Sequence, residues 1–348
     1  MRDFPLRNPR MPLPHIDKNP LSISVERAGE QESEHLVDLA VVDVDGNVVL
    51  GFGDLERQVF PRSAMKPLQS IALAELLNQH PEHGQLSLAE YALITASHNA
   101  EDIHVGAVHH LLSRFGLDPD HLICGAHWSL DQATSLSQAR SIETPTKAHN
   151  NCSGKHAGML VLAHLMGAPL EGYHKITHPV QQRIIGVMEQ MTGINLLDYP
   201  HGIDGCGAPA VSGPLGNWAR GFAVFADRSM LPDHRVDAII AIRDGIAAAP
   251  LMIAGHGRCC SGVAEHFGDV MTVKTGAEGV FAAAFHDLGL GLLLKTRDGN
   301  KRGAEAALGA VLHILGYEEK PELDQFFNPT LKNWAGEEVG KITIPSVY

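Results

Sequence analysis

The sequence predicts an α/β protein in which strands from both ends of the chain form one antiparallel sheet, with helices on its faces and a helical region inserted. The first observation is "HLVDLAVVDVDGNVVLGFG", where two β-prone runs flank an Asp-Gly-Asn turn at 45–47. These turn residues tolerate positive φ, which is typical of a β-hairpin. The second observation is that "DVMTVKTG" and "GLGLLLKTRDGN" add β-prone runs near the other end, so we expect the terminal strands to pair.

Helices are predicted for the middle of the chain, where apolar residues recur with the helical period. The segments are "MKPLQSIALAELLNQ", "HVGAVHHLLSRFG", "GKHAGMLVLAHLMGA", "HPVQQRIIGVMEQMTG" and "RVDAIIAIRDGIAAAP". After the last strand, "GAEAALGAVLHILG" predicts a helix that stops at Gly316. No Ser/Gly-rich linker or fixed repeat interrupts the pattern, so we expect a single domain over residues 22–348. The five prolines in "MRDFPLRNPRMPLPHIDKNP" predict an extended arm over residues 1–21.

The composition argues against several classes of protein. With 348 residues, of which 44% are hydrophobic and 19% charged, the chain can bury a sizeable core. A formal net charge of -13 argues against nucleic-acid binding, which requires basic side chains to neutralise phosphates. No apolar run approaches the roughly 18 residues of a membrane span, and no secretory signal is recognisable. Because five cysteines do not suit a disulfide framework, we expect a cytoplasmic protein.

Three short motifs could carry chemistry: "SAMK" (63–66), "SHN" (97–99) and "KTG" (274–276). In this order they resemble the S-x-x-K, S-x-N and K-T-G motifs of serine β-lactamases and penicillin-binding proteins. Ser63 would be a nucleophile activated by Lys66. Ser97 could relay a proton, Lys274 would add positive charge, and the glycine after it would leave the strand open to a close-lying substrate. Alone, "SAMK" also fits an ordinary helix start with a serine cap.

Activation of a serine in this way requires a neutral lysine amine. Lowering a lysine pKa from about 10.4 to about 7 costs roughly 4.6 kcal/mol, at 1.36 kcal/mol per unit. A second lysine supplies part of this by charge repulsion and burial supplies the rest, which gives a reason for two lysines at one site. The spacing nevertheless departs from the β-lactamase pattern, because Ser97 follows Ser63 by 34 residues and Lys274 follows Ser97 by 177.

A longer series of motifs extends along most of the chain. In order, these are "RSAMKP", "ASHNAED", "CGAHWS", "NNCSGKHAGM", "GIDGCGAP", "GHGR" and "VKTGAEG". Over roughly residues 22–345 the sequence resembles the class 3, or Rhizobium-etli-type, L-asparaginases of the asparaginase II family. The resemblance implies a fold of the serine-β-lactamase/penicillin-binding-protein type, related to glutaminases, which agrees with the sheet of terminal strands. It also implies that the domain over residues 22–348 is a single catalytic α/β domain.

The resemblance further implies roles for individual residues. Ser63 would be the nucleophile, and Lys66 would take its proton. Ser97 and Lys274 would form a second Ser–Lys pair. The candidate substrate-binding residues are Arg62, Asp204, His156 and Asn99. Of these, Asn99 fits a cap of the following helix equally well.

The resemblance also implies a zinc ion beside the active site, bound by Cys152, Lys155 and Cys206. On spacing alone, two cysteines 54 residues apart are ordinarily buried small hydrophobes, and lysine is a rare ligand because it must be deprotonated. Three protein ligands would leave a position for water or substrate, although a serine nucleophile does not require the metal for hydrolysis. The remaining cysteines are expected to be buried thiols: Cys124, Cys259 and Cys260.

The expected reaction is hydrolysis of the side-chain amide of L-asparagine to L-aspartate and ammonia through an acyl-enzyme on Ser63. Asp204 is a candidate for binding the substrate amine, and Arg62 or Arg258 for its carboxylate, since guanidinium grips carboxylate bidentately. Glutaminase activity is the nearest alternative, because one methylene is worth only about 1–3 kcal/mol of discrimination. Two further alternatives are turnover of β-lactams or D-Ala peptides, and binding of zinc or a small molecule without turnover.

The family forms dimers, so a homodimer is also expected.

Overall fold

The structure is a computed structural model that describes residues 14–344. Its strands are β1 (His15–Asp17), β2 (Leu21–Arg27), β3 (Glu30–Val42), β4 (Val48–Phe52), β5 (Gln58–Val59), β6 (His201–Ile203), β7 (Pro209–Val211), β8 (Gly213–Pro214), β9 (Met271–Gly276), β10 (Val280–Phe285), β11 (Leu290–Thr296), β12 (Thr330–Lys332) and β13 (Glu338–Thr343). Its helices are α1 (Lys66–Gln79), α2 (Leu88–Ile94), α3 (Asp102–Arg114), α4 (Gln132–Ser141), α5 (Ser153–Leu165), α6 (Pro179–Thr192), α7 (Leu215–Asp227), α8 (Asp233–Ala248), α9 (Cys259–Phe267), α10 (Lys301–Ile314) and α11 (Asp324–Phe327). Residues 1–13 of the predicted arm lie outside the described residues, and β1 lies within the arm's remaining part.

The described residues fall into two compact units. The first contains residues 14–64, 213–227 and 273–344, and the second contains residues 65–212 and 228–272. The first unit therefore combines both ends of the chain, and the second is inserted into it in two pieces. The helical insertion predicted from the sequence is confirmed, and the single catalytic domain over residues 22–348 stays a prediction.

The first unit is built on a nine-stranded sheet. Its main strand order is β12-β13-β2-β3-β11-β10-β9, with β4 paired to β3 and the short β1 paired to β4. Strand β3 lies antiparallel to β11, with Gly291 opposite Val42 and Thr296 opposite Val37. Strands β3 and β4 form the hairpin predicted at turn 45–47, where Gly46 has φ 87°. An antiparallel sheet formed from N- and C-terminal strands is therefore confirmed, with β1, parallel to β4, as an exception at the edge.

Helices α7 and α10 pack on opposite faces of this sheet. A Cβ at Gly291 in β11 would lie 2.1 Å from the backbone N of Ala223, so the glycine lets α7 pack directly on the strand. A Cβ at Gly303 in α10 would lie 2.6 Å from the Cβ of His35 in β3. Gly291 is paired with Val42 of β3, so these two residues share a face of the sheet. His35 lies in the same strand as Val42, an odd number of residues away, so it is on the opposite face. Because side chains alternate along a strand, the two glycines mark opposite faces, as predicted.

The second unit is mainly helical and is organised around α1. Helix α1 packs against α5, α6 and α8. It is mostly apolar and is buried from Lys66 to Leu77, as expected of a helix with protein on every side. Its buried carboxylate, Glu75, is paired with Arg235 of α8. No helix among residues 14–344 is long and apolar enough to cross a membrane.

Candidate active site

Ser63 lies in a 3-10 turn, Arg62–Met65, that leads directly into α1 at Lys66. Arg62 has φ 54°, in the left-handed region that non-glycine residues seldom adopt. Backbone strain of this kind is concentrated at functional sites. Both Arg62 and Ser63 are half-buried, so neither is sealed inside the core.

The "KTG" strand packs against the segment that carries Ser63. Lys274 is fully buried on β9, and its Nζ donates to the carbonyl oxygen of Thr275 at 2.9 Å. A Cβ on Gly276 would lie 2.4 Å from the carbonyl oxygen of Pro61 and 3.3 Å from the backbone N of Ala64. The missing side chain of Gly276 therefore makes room for the backbone of Pro61 and Ala64, whereas we expected it to make room for a substrate.

Lys66 is the candidate general base with the most defined surroundings. Its side chain is fully buried, and Nζ lies 2.5 Å from the carbonyl oxygen of Ala96, 3.0 Å from Ser97 Oγ and 3.2 Å from Cys152 Sγ. No carboxylate is among these partners. Burial lowers the pKa of Lys66 more than Cys152 raises it, and the charge of Lys155 lowers it further. The amine can therefore exist in the neutral form that accepts a proton.

The segment containing Ser97 is connected to α5 through a neutral histidine. His98 Nδ1 accepts a hydrogen bond from the backbone N of Ala100 at 3.1 Å, so Nε2 carries the proton and donates to Ser153 Oγ at 3.0 Å. The His98 ring stacks on His104, with centroids 4.9 Å apart. Burial, together with the neighbouring His104, keeps the pKa of His98 well below its usual value. His98 therefore acts as a structural link beside Ser97.

Cys152, Lys155 and Cys206 lie in direct contact. Cys152 is the N-cap of α5 and Lys155 is in its first turn. Lys155 Nζ lies 3.1 Å from Cys206 Sγ, and the two cysteine side chains are hydrogen-bonded to each other. The Cys152 thiol donates this bond and, with Lys155, lowers the pKa of Cys206 to about 4 despite burial. The same bond and burial raise the pKa of Cys152 to about 11.

This arrangement fits the zinc ligands implied by the sequence. Burial alone would lower the pKa of Lys155, but the charges of Cys206 and Cys152 outweigh burial and raise it. The three residues are thus a thiolate, a thiol and an ammonium group, and two sulfur donors with one nitrogen donor form a set that zinc accepts once the amine and thiol are deprotonated. An exposed group at the end of α1 also offers metal-binding side chains: His80, Glu82 and His83.

Two of the substrate-binding candidates in the second unit, His156 and Asp204, differ in their surroundings. His156 is fully buried, its Nδ1 lies 2.8 Å from Tyr173 Oη, and burial keeps its pKa well below the usual value. Asp204 is half-buried, and its carboxylate accepts a hydrogen bond from the backbone N of Gly205 at 2.6 Å. The charge of Asp204 contributes to the raised pKa of Lys155, so this carboxylate lies within electrostatic range of the cysteine pair.

The structure thus brings several of the predicted residues into direct contact within the second unit. Lys66 contacts Ser97 and Cys152, and Lys155 contacts Cys206. The side chain of Asn99 contacts Glu101, His256 and Arg258. Two of the residues involved were not indicated by the sequence: Tyr173 belongs to no motif, and His256 lies in "GHGR" without an evident role. The remaining cysteines are buried thiols outside any disulfide, as predicted: Cys124, Cys259 and Cys260.

Comparisons with known proteins identify a family, but no individual curated protein matches the sequence. A search of curated proteins gave no significant match. Among solved structures, the chain is similar to Mglu in its native form, with 14% identity, 82% of this chain and 66% of that chain covered, and a TM-score of 0.45. It is also similar to the octameric penicillin-binding protein homologue from Pyrococcus abyssi, with 14% identity, coverage of 84% and 76%, and a TM-score of 0.45.

The chain spans 66% of the length of Mglu, and likeness at these TM-scores supports no functional assignment. The sequence match is of a different kind, because the L-asparaginase II family matches residues 23–344, which is most of the chain. The matched range includes every residue of the candidate site, from Arg62 to Lys274. The chain therefore belongs to the L-asparaginase II family.

Proposed function

We propose that the protein is a class 3 L-asparaginase that hydrolyses L-asparagine to L-aspartate and ammonia with Ser63 as nucleophile. Membership of the L-asparaginase II family places it among hydrolases that act on amides of small molecules. The observation that carries the mechanism is the environment of Lys66, a buried amine with a lowered pKa that hydrogen-bonds Ser97 Oγ at 3.0 Å. A lowered pKa increases the neutral fraction of the amine, which is the form that can take a proton from a hydroxyl.

The proposed reaction has two halves with Lys66 as proton carrier. In the first, Ser63 Oγ attacks the side-chain carbonyl carbon, its proton moves to Lys66 Nζ, and backbone N–H groups near Ser63 stabilise the oxyanion. The C–N bond then breaks, and the leaving nitrogen takes the proton from Lys66 to form ammonia. In the second, water attacks the acyl-enzyme and gives its proton to Lys66. The proton returns to Ser63 Oγ as L-aspartate leaves, and Ser97 with Lys274 forms a second path for the same proton.

We propose zinc at Cys152, Lys155 and Cys206, where the donor set suits the ion. When bound, zinc would supply positive charge and Lewis acidity beside the reacting groups. The residues themselves must change protonation to hold it, because Lys155 has a raised pKa and Cys152 carries a proton. Cys206 is already a thiolate at neutral pH and is therefore the first ligand to be available.

Recognition of the free amino acid requires one cationic and one anionic group. Asp204 is our candidate for the α-amine, and Arg62 or Arg258 for the α-carboxylate. His156 is fully buried and its Nδ1 lies 2.8 Å from Tyr173 Oη, so this pair supports the fold of α5. We also propose a cytoplasmic homodimer, on the strength of the resemblance to the class 3 family.

The first test is ammonia release from L-asparagine and L-glutamine by the purified protein, beside a Ser63→Ala variant whose folding is verified by circular dichroism. We expect release from asparagine, with the alanine variant reduced at least about 1,000-fold. Release mainly from glutamine would make the protein a glutaminase with the same chemistry. No release from either amide with zinc supplied would overturn the proposal, and assays of β-lactam turnover and ligand binding would then separate the alternatives.

A further inference from the structure

The loop before α9 runs beside the segment that contains Ser97. The backbone N of Ser97 donates to the carbonyl oxygen of Ile253 at 3.0 Å, and the backbone N of Asn99 donates to that of Ala254 at 2.8 Å. A few residues later, Arg258 is the N-cap of α9. Because these bonds fix the start of the loop against residues 97–99, Arg258 is held beside the Ser97 segment.

The side chain of Asn99 is almost fully used by protein groups. It is 1% exposed, and its Nδ2 donates to Glu101 Oε1 at 3.2 Å and to the carbonyl oxygen of His256 at 3.0 Å. Its Oδ1 accepts a hydrogen bond from Arg258 Nη1 at 2.6 Å. Two acceptors on one side and a guanidinium on the other fix the orientation of the amide. Neither N–H of Asn99 is left for a substrate.

Glu101 completes what we call the Asn99 clamp, formed by Asn99, Glu101 and His256. Its carboxylate accepts hydrogen bonds from the backbone N of His256 at 2.9 Å and from His256 Nδ1 at 2.7 Å. Burial would raise the pKa of Glu101, but these bonds outweigh burial and lower it. Gly255 has φ 108°, and a Cβ there would lie 2.5 Å from Glu101 Oε1. The loop backbone therefore presses directly on the clamp and leaves it little freedom.

Arg258 is held by this clamp but keeps most of its hydrogen-bonding capacity. A guanidinium has five N–H donors in a fork that matches a carboxylate. Within residues 14–344, the side chain of Arg258 makes one hydrogen bond, to Asn99 Oδ1, which is an amide oxygen and brings no negative charge. The side chain is half-buried. Hydrogen bonds from Thr134 are the main cause of the lowered pKa of Asp131, and the charge of Arg258 is a smaller cause, so this carboxylate lies within electrostatic range of Arg258. A partly buried cation oriented in this way is suited to bind an anionic ligand.

We propose that Arg258 binds the α-carboxylate of the substrate, and that Asn99 is a positioning residue that orients Arg258 and does not contact the substrate. The proposal rests on the asparaginase function proposed above and identifies which arginine sets its specificity for free amino acids. It also replaces the direct substrate contact expected for Asn99 from the sequence, because the amide N–H groups are already engaged.

The test compares L-asparagine with 3-aminopropanamide, which is asparagine with its α-carboxylate replaced by hydrogen. A charge-assisted hydrogen bond is worth a factor of roughly 10–100 in kcat/KM. We expect Arg258→Ala to lower kcat/KM for L-asparagine by about that factor, mainly through KM, and to leave 3-aminopropanamide within about twofold. Arg258→Lys should recover part of the loss, since it restores the charge without the fork. Arg140→Ala, which removes an exposed guanidinium from the same unit, serves as the control and should change neither substrate.

The role of Asn99 is tested by combining substitutions. If Asn99 acts through Arg258, Asn99→Ala should raise KM for L-asparagine several-fold and spare 3-aminopropanamide. The double variant Asn99→Ala/Arg258→Ala should then be no worse than Arg258→Ala alone. Losses that multiply in the double variant, or that affect both substrates equally, would overturn the positioning role.

Binding of L-aspartate measured by calorimetry separates this inference from the proposed function. If the wild type releases no ammonia but binds L-aspartate, and Arg258→Ala weakens binding at least about 10-fold, the asparaginase proposal fails while the carboxylate site stands. If L-aspartate does not bind to the wild type, or binds equally well to Arg258→Ala, the carboxylate site is refuted even if asparagine is hydrolysed.

Discussion

Lys66 combines full burial with partners that carry no full negative charge. Its Nζ contacts a carbonyl oxygen, a hydroxyl and a thiol, and burial lowers its pKa although Cys152 and Cys206 oppose this. An arginine at this position would stay protonated, because its pKa exceeds 12. We therefore expect Lys66→Arg and Lys66→Met each to lower kcat at least about 100-fold.

Thermal unfolding provides the control for this prediction. Lys66→Met should keep or raise the Tm, because it replaces a buried amine by an apolar side chain of similar length. A Lys66→Arg variant that retained more than about a tenth of the wild-type kcat would show that the neutral amine of Lys66 is not the base.

At the same scale, the sequence indicated some contacts and missed others for a physical reason. Ser63 and Lys66 could be associated because residues three apart on a helix are neighbours. The contact between Lys66 and Cys152 could not be derived from spacing, since it depends on how α1 and α5 pack. The family motifs identified Cys152 and Cys206 as candidate residues. The hydrogen bonds from Asn99 to His256 and Arg258 could be found only in the structure, because they depend on how the loops fold.

At the scale of elements, Gly276 determines how closely β9 approaches the turn that carries Ser63. Its missing Cβ would lie 2.4 Å from the carbonyl oxygen of Pro61, which belongs to backbone and cannot rotate away. We expect Gly276→Ala to destabilise the protein by about 1–3 kcal/mol and to lower kcat, because β9 must shift away from the Ser63 segment. Chemical denaturation and steady-state kinetics measure both effects.

Gly106→Ala is the matched control for this substitution. Gly106 lies in α3 and is exposed, and a Cβ at this position would have no heavy atom of another residue within 4 Å apart from its own helix backbone and chain neighbours. Alanine there should stabilise the helix by up to about 1 kcal/mol and leave kcat unchanged. A Gly276→Ala variant that behaved like this control would mean that the close approach of β9 has no role in the site.

Most elements were predictable because their signals are local. The hairpin between β3 and β4 follows from its turn residues, and α10 ends just before Gly316, which has φ 81°. Less predictable was the position of α7, which lies far from β11 in sequence but packs directly on Gly291. No helix was predicted at this position from the sequence, and an amphipathic pattern would not in any case identify the surface against which the helix packs.

At the scale of the whole molecule, the chain returns to its first unit twice, and charged groups help hold the returning segments there. Asp38 on β3 is fully buried and accepts hydrogen bonds from Arg57 at 2.6 Å and Arg297 at 2.8 Å. Arg57 lies just before β5, and Arg297 follows β11. One carboxylate therefore joins early and late parts of the chain, which neither local propensity nor hydrophobic periodicity could reveal.

The buried Asp38 leads to a prediction about acid stability. Burial raises the pKa of Asp38, but the hydrogen bonds from Arg297 and Arg57 outweigh burial and hold it below its usual range. An unfolded aspartate has a pKa of about 3.9, so the carboxylate's contribution is fully present well above this pH and is lost as pH falls through the lower folded pKa. At pH 7, Asp38→Asn should be less stable by about 3 kcal/mol, because two arginines lose their partner.

The difference in unfolding free energy between wild type and Asp38→Asn should therefore narrow as pH falls from about 5 towards 3. Urea unfolding across this range measures it, and taking the difference cancels the titration of other carboxylates that both proteins share. Asp45→Asn, at an exposed turn position, is the control and should differ from wild type by less than about 0.5 kcal/mol at every pH. A constant deficit for Asp38→Asn from neutral to acid pH would show that the charge of Asp38 does not stabilise the first unit and that its side chain acts only through shape.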